Sequence, residues 1–167
     1  MFDKKLFKYH LEKARSARSD YDAFDARWKA FNVYYESLFQ RRQRRELDRV
    51  HLAAKALSRE DFQLFLSPAA TKGLVTIAPV FNERDWQRRG IKRTADHAAM
   101  KTAMARDWLR EAPTEADVLS LLTLLYVIRC NMAHGFKTSD GRRDVEVLSA
   151  ANCVFTPFMD ALMRRIL

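Results

Sequence analysis

Glycine and proline are scarce, with four of each in 167 residues. An antiparallel sandwich or barrel needs turn chemistry about every ten residues, so a turn-rich all-β fold is excluded. Cysteine is scarcer still. Cys130 and Cys153 cannot build a disulfide framework, nor supply a structural zinc site unaided, and they read as reduced, mostly buried thiols of a cytoplasmic protein. The sequence carries no Gly-rich phosphate loop and no GxSxG, HExxH, CxxC or EF-hand pattern. The four histidines, His10, His51, His97 and His134, share no metal-ligand spacing, so neither a metal nor a cofactor is expected. The carboxylate pair Glu60-Asp61 falls on an expected exposed helix start, where capping explains it. The longest uncharged stretches, Val118–Ile128 and Val147–Met159, fall short of the ~18 residues of a membrane span and read as core helices, with no membrane partner expected. The start, Met1-Phe2-Asp3-Lys4-Lys5, is charged and amphipathic rather than signal-like.

What the chain does have is a hydrophobic fraction of 48% and an excess of positive charge. Its length is near the ~150 residues that serve as a one-domain prior, and a domain of this size buries roughly 70% of its unfolded surface. Lys and Arg number 30 against 21 Asp and Glu, a net charge of +9, and 20 of the cations are Arg. The guanidinium fork suits phosphate geometry, so nucleic acid is the first partner class this balance points to. An acidic partner or an anionic surface comes second, and solubility alone is the bland alternative.

Helical periodicity dominates. Phe24, Trp28, Phe31, Tyr35 and Leu38 alternate spacings of four and three, one stripe of a long helix with Asp20 as its N-cap. A shorter amphipathic pattern over 3–18 precedes it, with Leu6, Phe7, Leu11 and Ala14. The run Arg41-Arg42-Gln43-Arg44-Arg45 leads into another helix through Leu57, and Ser58 with Asp61 forms a capping box for Arg59–Leu66. Ser67–Ile91 reads as an irregular insertion, with a β-prone run Leu74-Val75-Thr76-Ile77 and a basic end at Arg88, Arg89, Lys92 and Arg93. Helix returns over Thr94–Glu111. Thr114 then caps a helix from Glu115 to about Ala133 that is apolar nearly all round, and Gly135 is placed to end it. A polar loop, Lys137–Arg143, leads to a last helix over Asp144–Ile166. The expected fold is all-α: one bundle of four to five main helices with an irregular middle at about 67–91.

One segment stands out, Arg129-Cys130-Asn131-Met132-Ala133-His134-Gly135 at the end of the apolar helix. It couples a permanent cation to an imidazole, the side chain whose free pKa lies near neutrality. That pair suits RNA cleavage without a metal, in which a base takes the 2′-hydroxyl proton and a cation stabilises charge building on phosphate. On an unbroken helix the two residues lie about 140° apart, so the helix must unwind near Gly135 or the arginine must reach across. Chance alone yields about 1.4 such Arg–His spacings in this composition, and a second copy does occur, Arg44 or Arg45 before His51. His51 sits in a charge-rich stretch that favours an exposed imidazole. A purely structural alternative has Arg129 and His134 satisfying carbonyls at a helix end.

The segment Ile128–Gly135 resembles the signature of the HEPN superfamily: arginine, four to six residues, then histidine at the end of a bundle helix. The aromatic helix Trp28-Lys29-Ala30-Phe31-Asn32-Val33-Tyr34-Tyr35 also resembles an early helix of some members. The resemblance implies a HEPN-like bundle acting as a metal-independent endoribonuclease, leaving 2′,3′-cyclic phosphate and 5′-hydroxyl ends, in toxin, antiviral or other defence systems. It assigns Arg129 and His134 as the catalytic pair and matches Asn131 to a polar position inside the motif. Cys130 stands where Asn, Asp or His is commoner, and no Tyr closely follows His134, unlike HEPN toxins paired with nucleotidyltransferase antitoxins. Some members only bind RNA, nucleotides or a partner protein, and that is the alternative function, with an antitoxin-like role beside it. In-line displacement needs a base and an acid on opposite sides of phosphorus. A two-fold homodimer with Arg129, Asn131 and His134 of both copies in a shared cleft supplies them. Arg41, Arg42, Arg44 and Arg45, or Arg88, Arg89, Lys92 and Arg93, then track the RNA backbone, unless they form only a solvated face.

Overall fold

Phe31 sits at the centre of the packing, fully buried, with the rings of Tyr35, Phe158, Trp28 and Phe155 at centroid distances of 5.1, 5.2, 5.6 and 6.0 Å. Phe24, Trp28, Phe31 and Tyr35 of the stripe read from spacing therefore form the core face of their helix, while Leu38, at its C-cap, is exposed. A computed structural model of the chain describes residues 2–38, 45–76, 113–133 and 141–167. All regular structure among them is helical: α1 (Lys4–Arg15), α2 (Asp20–Ser37), α3 (Glu46–Leu52) with a 3₁₀ turn over Ala53–Ala56, α4 (Arg59–Phe65), α5 (Pro68–Thr76), α6 (Glu115–Ala133) and α7 (Arg142–Ile166). The protein is all-α. The four longer helices, α1, α2, α6 and α7, carry most of the core, and three short ones fill the sides.

The helix starts follow from local chemistry. The Asp3 carboxylate accepts from the Leu6 amide at 3.0 Å to open α1. Ser19, not Asp20, caps α2: its extended backbone lets Oγ accept from the Asp22 amide at 3.1 Å. Asp20 and Asp22 sit instead in the first turn, where negative charge favours the helix dipole. Ser58 and Asp61 form the expected capping box of α4, yet Asp61 is buried rather than exposed, because Arg165 of α7 reaches it at 2.8 Å.

Helix α7 runs beside α2, α4 and α5, while α1 lies along α2. It starts at Arg142, two residues before the expected Asp144. Part of the expected irregular middle is α5. Ser67 caps it, accepting the Ala70 amide on Oγ at 3.3 Å and the Thr71 amide and hydroxyl on its carbonyl at 3.0 and 2.9 Å. Pro68 then occupies the first helical position, where a missing N–H costs nothing. A Cβ on Gly73 would come within 3.0 Å of the Ala150 Cβ, so α5 crosses α7 at close range. That burial, with Leu74 and Thr71 turned inward, overrides the strand preference of the Leu74-Val75-Thr76-Ile77 run up to Thr76. Residues 77–91, the helix expected over Thr94–Glu111, the Gly135 cap and the loop from Lys137 to Asp140 lie outside the described residues.

With their charged positions included, α6 and residues 144–166 of α7 are long and apolar enough to cross a membrane, at mean hydropathies of 1.4 and 1.2. More than half of each apolar window is nonetheless buried inside the bundle.

Candidate functional site

Helix α6 brings Arg129 to one corner of the bundle. Its start is fixed by Asp117, whose carboxylate accepts the Thr114 amide at 2.6 Å and hydroxyl at 2.8 Å. Four turns on, Arg129 emerges partly exposed, with Nη1 3.7 Å from Oε2 of Glu46, the first residue of α3. Glu46 is the hub of this corner. The Tyr35 hydroxyl donates to its Oε1 at 2.7 Å and in turn accepts from Asn32 Nδ2 at 2.7 Å. The Tyr126 hydroxyl stands 3.5 Å from the other carboxylate oxygen. Three helices, α2, α3 and α6, thus meet around one carboxylate.

The electrostatics are those of a partly dry site. Burial pushes the Tyr35 phenol well above its ordinary range, with Asn32 opposing and Glu46 adding to the shift. Burial does the same to Tyr126, reinforced by Cys130 and Glu46. For Arg129 burial opposes the charge, but Glu46, with Cys130 and Tyr35 beside it, outweighs burial and holds the guanidinium above its ordinary value. The cation is permanent, held by a carboxylate, and still reachable from solvent.

Of the sequence-predicted site residues, Arg45, Arg129 and Asn131 lie within the described part of the chain. Arg45 is exposed and immediately precedes Glu46, its amide donating to Asp48 at 3.2 Å across the first turn of α3. Of the basic run, Arg45 is the described member, and it directly precedes the carboxylate that Arg129 meets, an adjacency that no spacing in the sequence announces. Asn131 does not join them. Two residues along a helix is about 200° of rotation, and Asn131 is fully buried on the side of α6 facing the core. In this arrangement it supports the helix end from within rather than lining an open cleft. His134, Arg41, Arg42, Arg44, Arg88, Arg89, Lys92 and Arg93 lie outside the described residues.

The second Arg–His copy ends differently from expectation. His51 is half-buried between α3 and α6 instead of exposed, with Nε2 2.9 Å from Thr123 Oγ1. The Thr123 hydroxyl donates to the Leu119 carbonyl at 2.8 Å, which leaves its oxygen to accept from the tautomer of His51 that is protonated on Nε2. Burial holds the His51 pKa below its ordinary value, opposed by Asp48. This imidazole joins two helices.

Beside Arg129 a groove of about 390 Å³ runs between α1, α2 and the end of α6. Its aromatic lining comes from Tyr21 and from the buried Phe24 and Trp28, and Asn32, His10, Arg129 and the ion pair Asp25–Lys29 supply polar groups. Among the described residues no group of three or more His, Cys, Asp or Glu is placed to hold a metal ion. Sequence reasoning missed Glu46, Tyr35, Tyr126 and Asn32 as site residues. Tyr35 reads as core because its ring is core, and only its hydroxyl belongs to the site. Glu46 carries a faint signal as the first acid after a run of four arginines.

No family model matches the chain, and neither a curated protein nor a solved structure is similar to it.

Proposed function

We propose that the protein is a metal-independent endoribonuclease of HEPN type, with Arg129 and His134 as its catalytic pair. The observation that carries this reading is the corner at the end of α6. Arg129 is partly exposed there and paired with Glu46, where a phosphate can reach its guanidinium, and Arg45, the residue before Glu46, is exposed. In the proposed reaction His134 takes the proton from a 2′-hydroxyl, and the 2′-oxygen attacks phosphorus as the bond to the 5′-oxygen breaks. Arg129 stabilises the charge gathering on the non-bridging oxygens, and the departing 5′-oxygen receives a proton from an acid on the opposite side. A second copy of the motif across a two-fold axis supplies that acid, so the active form is a homodimer with a shared cleft. Cytoplasmic defence or toxin-type RNA cleavage is the setting this activity fits.

The Glu46 contact also favours a second reading, RNA binding without cleavage, because a carboxylate at 3.7 Å offsets part of the charge a transition state would use. Incubation of pure protein with single-stranded RNA in EDTA separates the two. Cleavage to 2′,3′-cyclic phosphate and 5′-hydroxyl ends, lost in His134→Ala and in Arg129→Ala, supports the nuclease. Binding with no cleavage supports the second reading, and cutting by both variants at wild-type rate removes the assigned site.

A further inference from the structure

We infer that the groove beside Arg129 is a nucleobase pocket, receiving one unpaired base of the RNA strand whose phosphate Arg129 contacts. The inference rests on the nuclease reading only for the phosphate role of Arg129; the pocket itself rests on its lining. The wall of α2 runs from Tyr21 to Val33, about 18 Å of helix at 1.5 Å per residue, long enough for a phosphate, a sugar and a base in series. The volume of about 390 Å³ falls in the range of small-molecule sites, roughly 300–1,000 Å³. Arg129 belongs both to the Glu46 corner and to this groove, so a phosphate held there delivers its attached nucleoside into the groove.

The chemistry of the lining fits a flat aromatic ring with polar edges. Leu6, Tyr21 and Val33 present apolar and aromatic surface with Phe24 and Trp28 buried behind them, while Asn32 and His10 present polar groups and Lys29, paired with Asp25, adds a cation at the edge. Two nitrogens of lining residues are left incomplete. Trp28 is 4% exposed, and neither its Nε1–H nor Nδ1 of His10 finds a hydrogen-bond partner. A buried group in that state has given up its hydration without gaining a hydrogen bond in return. Water does not reach either nitrogen, so a group that completes them enters as the lining yields around a bound ligand, and a base edge carries the carbonyl and ring-nitrogen acceptors that an indole N–H needs.

The test follows the indole N–H resonance of Trp28 in ¹⁵N-labelled protein, assigned by its loss in Trp28→Phe. The four nucleoside 5′-monophosphates are titrated in turn, then ribose 5-phosphate and inorganic phosphate. The expected result is a saturable shift with at least one mononucleotide and at least tenfold weaker affinity for ribose 5-phosphate. The Leu6→Trp variant fills the groove from a partly exposed position of α1, and it lowers mononucleotide affinity at least tenfold. A Trp28 resonance that no mononucleotide moves, or equal affinity for ribose 5-phosphate, overturns the pocket even if the protein cleaves RNA. A mononucleotide shift in a protein whose cleavage survives Arg129→Ala leaves the pocket standing and removes the nuclease assignment.

Discussion

The middle of α2 and its C-terminal end are built on opposite principles. The middle, Phe24 to Phe31, meets Phe155 and Phe158 in an interlocked set of rings that asks only for apolar burial. Just beyond it, Asn32 donates to the Tyr35 hydroxyl, which donates to Glu46 of α3, and there each of these polar groups needs a specific partner. The first region gains stability from area and tolerates variation in detail. The second adds little net stability per hydrogen bond, yet it fixes the direction of Arg129. The apolar core and the candidate site are thus separated along one helix, with Tyr35 belonging to both.

Breaking the apolar region has the largest expected effect. Phe31→Ala removes a fully buried ring that four others touch, and unfolding in urea should show a loss of about 3–5 kcal/mol. A loss under about 1 kcal/mol would mean the ring set is not the centre of the core. Tyr35→Phe keeps the ring and deletes the hydroxyl that links Asn32 to Glu46, so about 1–2 kcal/mol should be lost in the same assay.

Sharpening the polar end calls for kinetics. In Glu46→Gln the carboxylate no longer competes with phosphate for Arg129, so KM for RNA should fall roughly threefold. The guanidinium also loses its restraint, and kcat should fall about tenfold. A merely structural Glu46 would instead leave both constants of the folded protein unchanged.

The smallest effect concerns His51. Burial holds its folded pKa below the ordinary 6.5, so the folded state resists the proton that the unfolded chain accepts. The stability this contributes is present above pH 6.5 and is lost as pH falls through that value toward the folded pKa. His10, also depressed by burial and by Lys29 and Lys13, adds in the same direction. The urea midpoint should therefore be lower at pH 5.5 than at pH 7.5, with a smaller drop in His51→Gln, whose amide N–H can still serve Thr123.

The same contrast explains what was legible in the sequence. Helices whose burial is set by local period, such as Phe24-Trp28-Phe31-Tyr35 and the Leu-rich stretch of α6, could be read directly, as could the caps at Ser58 and Thr114. Helix α5 was hidden, because β-branched residues at its end outweigh the Ser67-Pro68 start signal unless the close crossing with Ala150 is known. Arg129 could be singled out by its motif. Its partner Glu46 is 83 positions away, and its hydroxyl neighbours sit on residues whose rings already account for them. Asn131 illustrates the converse: membership in a motif fixed its position in the sequence but not its face, and helical rotation buries it.

The most direct test of the central claim compares Arg129→Ala with the wild type in two assays on one preparation. RNA cleavage in EDTA should fall by about a hundredfold or more, while the urea midpoint moves little, since a partly exposed ion pair contributes about 1 kcal/mol at most. Cleavage retained at the wild-type rate, or a collapse of stability in its place, would make Arg129 a structural strut and contradict the account.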